Sequence, residues 1–213
     1  MGGVVTGAQI RSAEFMTSGH LSMTTRISPV HGTCQALFTY IDEANFPKAG
    51  DEQDIEIRGQ LLDKGIQLTQ YNPEYVFTFA AYRLCETLPS PSLSPVCTSR
   101  SFHIQSESTW HPFPSEPTTS YHNYTIFWPP ADASPRRTSY YFDGKLLKTF
   151  DKYVSVNPSR ACLSNWSNGQ LSFTQGPPVT DAVLEVRRIA WYYSTAKVPD
   201  LPSGCTMEQA CRV

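Results

Sequence analysis

Three acidic residues alternate in the segment 50–59, which reads GDEQDIEIRG: Glu52, Asp54 and Glu56 stand at every second position. In a β-strand, successive side chains point to opposite faces of the sheet, so these carboxyl groups would project from one face. Cleavage of a glycosidic bond uses two carboxyl groups, one to protonate the leaving oxygen and one to attack the anomeric carbon or activate water. One hypothesis for the alternating acids is therefore glycoside hydrolysis.

The spacing of the outer acids requires a curved sheet if both are to act on one bond. Glu52 and Glu56 are four residues apart, which is roughly 13 Å along a flat strand, whereas a double displacement needs carboxyl groups about 5 to 5.5 Å apart. A strongly curved sheet would close that gap, and closeness would push the pKa values of the carboxyl groups apart. Two other interpretations remain open from the residues alone: a solvated acidic strand edge and a calcium site.

Short alternating or apolar runs recur along the chain, separated by turn signals, and this pattern is typical of a β-sandwich or barrel. Seventeen prolines and many β-branched and aromatic residues argue against long helices. The runs predicted as strands are 34–41, 54–57, 65–71, 74–82, 123–128, 138–144, 146–150 and 182–193. The segments predicted as loops are 84–99, 111–122 and 128–139, with a hairpin turn at Asp143-Gly144 and one short helical stretch at 206–212.

Length and charge limit the classes of partner. The 213 residues, with no linker and no internal repeat, predict one domain over residues 1–213. A formal net charge of −2 offers no basic patch for a phosphate backbone, so we do not expect nucleic acid as a partner. No apolar run is long enough to span a bilayer, and the N-terminal residues lack the layout of a signal peptide.

The cysteines favour an oxidising location. Six cysteines without a C-x-x-C pair argue for disulfides rather than a zinc site, although six buried free thiols in a cytosolic protein remain an alternative. Two sequons, at Asn123 and Asn165, are consistent with secretion. The short intervening loops predict the pairs Cys205–Cys211 and Cys85–Cys97. The remaining two cysteines are Cys34 and Cys162.

The segment GDEQDIEI resembles the E-x-D-x-E active-site strand of glycoside hydrolase family 16, the β-jelly-roll glucanases and transglycosylases, in its form without a β-bulge. Three further blocks follow the order of that family. TGAQIRS…GTCQALFTY resembles its strands before the active site, HNYTIFWPP…YYFDGKLL its H-x-Y-x-x-x-W and Y-x-x-D-G block, and LSNWSNG…AVLEVRRIAWYY the end of its domain. The resemblance covers almost the whole chain. It implies an all-β fold, a concanavalin A-like two-sheet antiparallel jelly-roll sandwich, in which one or two N-terminal strands of the family are missing.

The resemblance also implies roles for individual residues. Glu52 would be the nucleophile, Asp54 the assisting acid, and Glu56 the general acid and base of a retaining mechanism that needs no cofactor and no metal. Aromatic and polar side chains would line the sugar-binding cleft, because sugar rings offer apolar faces and hydroxyl groups. The candidates for this sugar-binding role are Thr69, Tyr71, His122, Tyr124 and Trp166.

The implied activity is that of an endo-β-glucanase acting on 1,3- or mixed 1,3/1,4-linked glucan, as a monomer located outside the cell or in the cell wall. A cell-wall transglycosylase and a catalytically weak carbohydrate-binding protein are the alternatives on the same fold. Several positions depart from the family pattern. Gln53 stands where many relatives carry an apolar residue, Ser164 where several carry a sugar-binding Asn, and Phe173 nearest to a common Trp. The buried amide at position 53 must find hydrogen-bond partners.

Overall fold

The computed structural model describes residues 7–41, 51–72 and 106–195, which form two β-sheets. The six-stranded sheet contains, in spatial order, β1 (Ala8–Arg11), β10 (Arg160–Trp166), β3 (Cys34–Tyr40), β4 (Glu52–Arg58), β5 (Ile66–Tyr71) and β6 (Ser106–His111). The five-stranded sheet contains β11 (Glu185–Thr195), β2 (Met16–Arg26), β7 (His122–Trp128), β8 (Thr138–Phe142) and β9 (Lys145–Phe150). All pairings between these neighbouring strands are antiparallel. The prediction of an all-β, two-sheet antiparallel sandwich is confirmed.

Helical structure in the described residues is limited to one 3-10 turn, Gly59–Leu61, directly after β4. The residues described here include no helix with the length and apolar character needed to cross a membrane. The predicted helical stretch 206–212 and the predicted strand 74–82 lie outside the described residues. The same is true of the predicted loop 84–99.

Each other run predicted as a strand forms one, because alternation of apolar and polar residues marks a strand with one buried face. Four strands are not among those runs. β1 and β2 lie in the segment that resembles the family's strands before the active site, and the two others carry a weak pattern. β6, SESTWH, is a polar edge strand with no buried residue, and β10, RACLSNW, is buried on both faces over most of its length. The Asp143-Gly144 turn is confirmed: both residues have positive φ, 48° and 75°, as a two-residue hairpin of primed type requires.

Apolar side chains from both sheets meet in one core. On β4, Ile55 and Ile57 are 1% and 0% exposed and point into this core, as predicted, while the acids at the alternate positions point away from it. Burial of such side chains is the main favourable contribution to folding. The buried aromatic side chains of this core come from the five-stranded sheet: Tyr124, Trp128, Tyr140, Phe142 and Phe150.

A buried polar network links the two sheets under β4. The Gln53 side chain is fully buried, and its Oε1 accepts hydrogen bonds from Thr138 Oγ1 at 2.8 Å and from Gln70 Nε2 at 3.3 Å. Gln70 Nε2 also donates to the hydroxyl of Tyr140 at 2.7 Å, and that hydroxyl donates to the carbonyl of Thr69 at 3.0 Å. The oxygen of the unusual amide at position 53 is thus satisfied from strands of both sheets.

Two of the six cysteines lie in the described residues, and both are free and buried. The expectation that the cysteines form disulfides is therefore not met at Cys34 and Cys162. Cys162 is paired in register with Phe38, four residues along β3 from Cys34. That separation is roughly 13 Å along a strand, whereas a disulfide needs Cα atoms about 4.4 to 6.8 Å apart. The predicted pairs Cys85–Cys97 and Cys205–Cys211 lie outside the described residues.

The inter-sheet network generates a prediction about stability. Replacing Tyr140 with Phe removes the hydroxyl that joins Gln70 to the Thr69 carbonyl, so we expect the free energy of unfolding to fall by roughly 1 to 2 kcal/mol. Urea denaturation at neutral pH measures this change. Tyr141→Phe is the matched control, because the adjacent side chain is half-buried and points to the opposite face of β8. Equal stability of the two variants would contradict a structural role for the network.

Candidate active site

The acids Glu52, Asp54 and Glu56, which we call the acidic row, lie on β4 near the middle of the six-stranded sheet. Because side chains alternate along β4, the acidic row projects from the face opposite the core, which we call the cleft face. The start of β4 is held by Asp51, whose Oδ2 accepts hydrogen bonds from the backbone N–H groups of Val156 and Asn157, at 2.8 and 2.7 Å. The strand that carries the acids is thus fixed along both sides and at its beginning.

An open cleft of about 330 Å³ lies over the acidic row. Its lining includes the small Ala36, which is paired with Glu56 on β3, and the apolar side chains of Phe38 and Trp166. A cleft with apolar walls and a few polar groups is the usual form of a small-molecule or sugar site. Its remaining lining residues are Gly7, Ala8, Gln9 and Ser164.

The acidic row is buried, which distinguishes it from a solvated strand edge. Asp54 is 3% exposed and Glu56 9% exposed, while Glu52 is half-buried and open to the cleft. In the described part of the chain, no group of three or more His, Cys, Asp or Glu side chains is arranged to hold a metal ion. Buried carboxyl groups must share protons or hydrogen bonds, because an isolated buried charge is costly.

Burial raises the pKa of all three carboxyl groups above its usual value. For Glu52 the nearby charge of Glu56 adds to this effect, and for Asp54 the charges of both glutamates do. The hydrogen bond between Glu52 and Asp54 acts in opposite directions, since it lowers the pKa of Glu52 and raises that of Asp54. The net effect of burial and of the Glu56 charge raises the pKa of Glu52 to about 8, while its hydrogen bond with Asp54 favours the proton on Asp54.

Glu56 has two neighbours that stabilise its charged form. After burial, the next influence on its pKa is the charge of Arg58, which lowers it, followed by a hydrogen bond from Cys34. The thiol of Cys34 donates to Glu56 Oε1 over 3.7 Å. The sequence reasoning did not single out these neighbours, although Arg58 continues the every-second-position spacing of the acids.

Aromatic rings and one guanidinium group form a stack beside the acidic row. The guanidinium of Arg58 lies 4.7 Å from the ring centroids of both Trp110 and Phe173, and its Nη2 donates to Gln67 Oε1 at 2.7 Å. Phe173 in turn stacks on Trp166 at 5.6 Å with an interplanar angle of 20°. Phe173, which occupies the region of the absent tryptophan, therefore supports the cleft wall at Trp166.

Three of the predicted sugar-binding residues lie on the cleft face. Trp166 lines the cleft, and Thr69 is paired in register with Asp54 and shares a 3.0 Å hydrogen bond with the hydroxyl of Ser108. Tyr71 follows on the same face of β5, where burial and then the charges of the acidic row, Asp54 first, raise its pKa. These residues lie on the same face as the acids, and their role in sugar binding stays a prediction.

The two other predicted residues lie elsewhere. His122 and Tyr124 are on β7 in the five-stranded sheet, so they do not line this cleft. Tyr124 is fully buried and packs edge-on against Phe142. His122 stacks on the same ring, and its Nδ1 lies 2.7 Å from Asp143 Oδ2 at the hairpin turn. Their period-two spacing therefore reflects packing and a turn contact rather than the sugar site.

The likeness of this chain to known proteins lies in its structure. No protein-family model and no curated protein sequence matches the chain. Among solved structures, a β-1,3-1,4-glucanase (lichenase) from a mouse hindgut metagenome is 14% identical, with a TM-score of 0.59 over 86% of this chain and 68% of that one. A glycoside hydrolase family 16 endo-glucanase from Bacteroides ovatus is 14% identical, with a TM-score of 0.55 over 86% and 72%. The Crh5 transglycosylase is 16% identical, with a TM-score of 0.50 over 78% and 55%.

At these identities the likeness establishes the fold. The chain has the sandwich fold of glycoside hydrolase family 16 enzymes, and the resemblance noted in the sequence is confirmed at that level.

The burial of Asp54 predicts a pH-dependent effect on stability. A carboxyl group whose pKa is raised by folding does not lower the free energy of unfolding at a pH below its unfolded pKa, about 3.9. As the pH rises from there towards the folded pKa, the group lowers the free energy of unfolding more and more. We expect Asp54→Asn to raise the free energy of unfolding by roughly 1 to 3 kcal/mol at pH 8 and by little at pH 4.

Urea denaturation at both pH values measures this difference, and Asp151→Asn, at an exposed position, serves as the control. If Asp54→Asn raised the free energy of unfolding equally at pH 4 and pH 8, the result would argue against an elevated pKa for Asp54.

Proposed function

We propose that this protein is a retaining endo-β-glucanase that hydrolyses 1,3- or mixed 1,3/1,4-linked β-glucan. The observation that carries the proposal is the acidic row, buried on one face of a central strand beneath an open cleft. Two carboxyl groups with different protonation preferences are what the cleavage of a glycosidic bond requires. The fold shared with glucanases supports this reaction class.

In the first step, the Glu52 carboxylate attacks the anomeric carbon while protonated Glu56 gives its proton to the departing sugar oxygen. The glycosidic C–O bond breaks, and an ester bond forms between Glu52 and the sugar. Burial supports the acid role of Glu56, because its raised pKa favours the protonated form. The hydrogen bond from Asp54 supports the nucleophile role of Glu52, because it favours the carboxylate.

In the second step, the Glu56 carboxylate takes a proton from water, and the resulting hydroxide attacks the same carbon. The ester bond breaks, and Glu52 is released as a carboxylate that again accepts a hydrogen bond from Asp54. Two inversions at one carbon give net retention of configuration. Arg58 and Cys34 stabilise the charged Glu56 that this step begins from.

The lining of the cleft supports a neutral sugar polymer as the substrate. Trp166 offers a partly exposed aromatic face for stacking against a sugar ring, and Phe173 supports that indole from behind. Ser164 and Gln9 supply polar groups for hydroxyl recognition. The linkage is proposed from the name of the structural neighbour that acts on β-1,3-1,4-glucan. We also propose that the enzyme acts as a monomer outside the cell or in the cell wall.

A second candidate function is transglycosylation, favoured by the structural likeness to the Crh5 transglycosylase. The same covalent intermediate would then react with the hydroxyl of an acceptor sugar in place of water, and Glu56 would remove the proton of that hydroxyl. Product analysis with and without added acceptor oligosaccharide distinguishes the two outcomes. Hydrolysis yields only shorter glucans, whereas transfer also yields longer ones.

Incubation of the purified chain with laminarin and lichenan tests the proposed function directly. We expect release of reducing ends from at least one of the two polymers, and none from the Glu52→Gln variant, which keeps the shape of the side chain. Circular dichroism confirms that the variant is folded. A folded wild-type chain without activity on either polymer would overturn the proposal.

The two glutamates should respond differently to the leaving group of the substrate. Glu56→Ala removes the proton donor, so cleavage of natural glucan should fall by roughly 100-fold or more, while aryl glycosides with good leaving groups should suffer far less. Glu52→Ala removes the nucleophile and should abolish hydrolysis of both substrates, yet allow transfer from a glycosyl fluoride of inverted configuration. Steady-state kinetics on the two substrate types measures both effects. Equal losses for both variants on both substrates would contradict the assigned roles.

Trp166 should determine much of the glucan affinity. In a Glu52→Gln background, Trp166→Ala should weaken the binding of a glucan oligosaccharide by roughly tenfold, because an aromatic platform is lost. Isothermal titration calorimetry gives the dissociation constants. Trp166→Phe retains a ring and is the conservative control. Its dissociation constant should lie between those of the Glu52→Gln parent and the Trp166→Ala variant. Unchanged affinity in Trp166→Ala would exclude this residue from the sugar site.

A further inference from the structure

Cys34 lies directly beside the acidic row, and no bond to its sulfur is made or broken in the double displacement described above. It begins β3, is fully buried, and is present as a free thiol. In the register of β3 and β4 it is paired with Arg58, which places Glu56 at the diagonal position on the same face. A thiol is a hydrogen-bond donor, although a weak one, and a carboxylate accepts.

The contact between these side chains involves one carboxyl oxygen of Glu56. The thiol of Cys34 donates to Oε1 over 3.7 Å, a normal distance for a sulfur donor. Glu56 also lines the cleft. The thiol therefore holds one oxygen of a carboxyl group that a bound substrate can reach from the cleft.

Other groups that face Glu56 also influence its charge. Asp54 and Glu52 precede it on β4, and Arg58 follows it and lowers its pKa. From β5, Gln67 is paired with Glu56 but is held by Arg58, and the pKa of Tyr71 is raised in part by the charge of Glu56. Cys34 is the group from β3 that contacts the carboxyl group by a hydrogen bond.

We propose that Cys34 is a positioning residue for Glu56: its thiol holds Oε1 and favours the charged form of the carboxyl group that exchanges its proton with the substrate. The proposal rests on the proposed function, because it concerns the protonation cycle of the acid and base. A thiol suits this position because a weak donor favours the carboxylate without trapping it, and Glu56 must exist in both forms during one cycle. No oxidant or metal is involved.

The chain offers a matched control for Cys34. Cys162 is the other free, buried cysteine of the described residues, and it lies on the same cleft face two strands from β4, on β10. Its thiol donates to the backbone carbonyl of Arg160 over 3.8 Å rather than to a carboxyl group. Cys162→Ala therefore removes a similar buried sulfur atom without removing a hydrogen bond to Glu56.

The first test is the pH profile of kcat/KM, whose alkaline limb reports loss of the proton from the general acid in the free enzyme. Cys34→Ala removes a donor to the carboxylate, so the pKa of Glu56 should rise and the alkaline limb should move upward by about 0.5 to 1 pH unit. Cys34→Ser supplies a stronger donor to the carboxylate, so its limb should lie below that of the wild type. The limb of Cys162→Ala should coincide with that of the wild type.

The second test does not depend on turnover. Titration of 13C-labelled glutamate side chains by NMR, with the Glu56 signal assigned by its loss in Glu56→Gln, gives the pKa of this group in each variant. We expect the same order as in the kinetics: highest in Cys34→Ala, below the wild type in Cys34→Ser, and unchanged in Cys162→Ala. This order in a chain that cleaves no glucan would support the inference about Glu56 while the proposed function failed.

Two results would overturn the inference. One is the same pKa for Glu56 in the wild type, Cys34→Ala and Cys34→Ser, which would reduce Cys34 to a packing role. The other is an equal shift in Cys34→Ala and Cys162→Ala, which would attribute the change to general loosening of the cleft face. If Cys34→Ala did not fold, Cys34→Ser would be the test. Its hydroxyl is a stronger donor than the thiol, so the pKa of Glu56 must differ between Cys34→Ser and the wild type.

Discussion

The electrostatic cost of holding three carboxyl groups on one face of a buried strand is the constraint on which the rest of the structure depends. Asp54 and Glu56 are almost fully buried, and an isolated charge in such a place is strongly unfavourable. The three groups differ in what surrounds them: the hydrogen bond between Asp54 and Glu52 favours a proton on Asp54, while Arg58 and Cys34 favour the charged form of Glu56. The proposed reaction also needs one carboxyl group that is charged, as the nucleophile, and one that is protonated, as the acid. The contacts that reduce the cost of burial therefore also support the proposed chemistry.

The opposite face of β4 explains how this strand is held in place. Ile55 and Ile57 pack in the core, and Gln53 joins a polar network that reaches the five-stranded sheet through Thr138 and Gln70. In this network Gln53 Oε1 and the Tyr140 hydroxyl are hydrogen-bonded, whereas Gln53 Nε2 and Gln70 Oε1 have no partner within the described residues. The bonds that are made join β4 to the other sheet. A strand that is anchored on its core face can present carboxyl groups on its other face with little freedom to move apart.

Much of this could be predicted from the sequence, for a physical reason. A period of two is visible in the residues themselves, and it determines which side chains share a face, so the sandwich and the acidic row followed from local pattern. Contacts between strands distant in the sequence are not visible in that way. His122 and Tyr124 have the same alternation as true cleft residues but belong to the other sheet, and the contact of Cys34 with Glu56 depends on the register of β3 against β4.

The central claim is that Glu52 forms a covalent bond with the sugar, and trapping of that intermediate tests it most directly. A 2-deoxy-2-fluoro β-glucosyl substrate with a good leaving group slows the second step, so the glycosyl-enzyme should accumulate and be visible in the intact mass. The account predicts one sugar adduct per chain, located by peptide mapping at Glu52 and absent from the Glu52→Gln variant. An adduct on Glu56, or steady release of sugar with inverted configuration and no adduct, would contradict it.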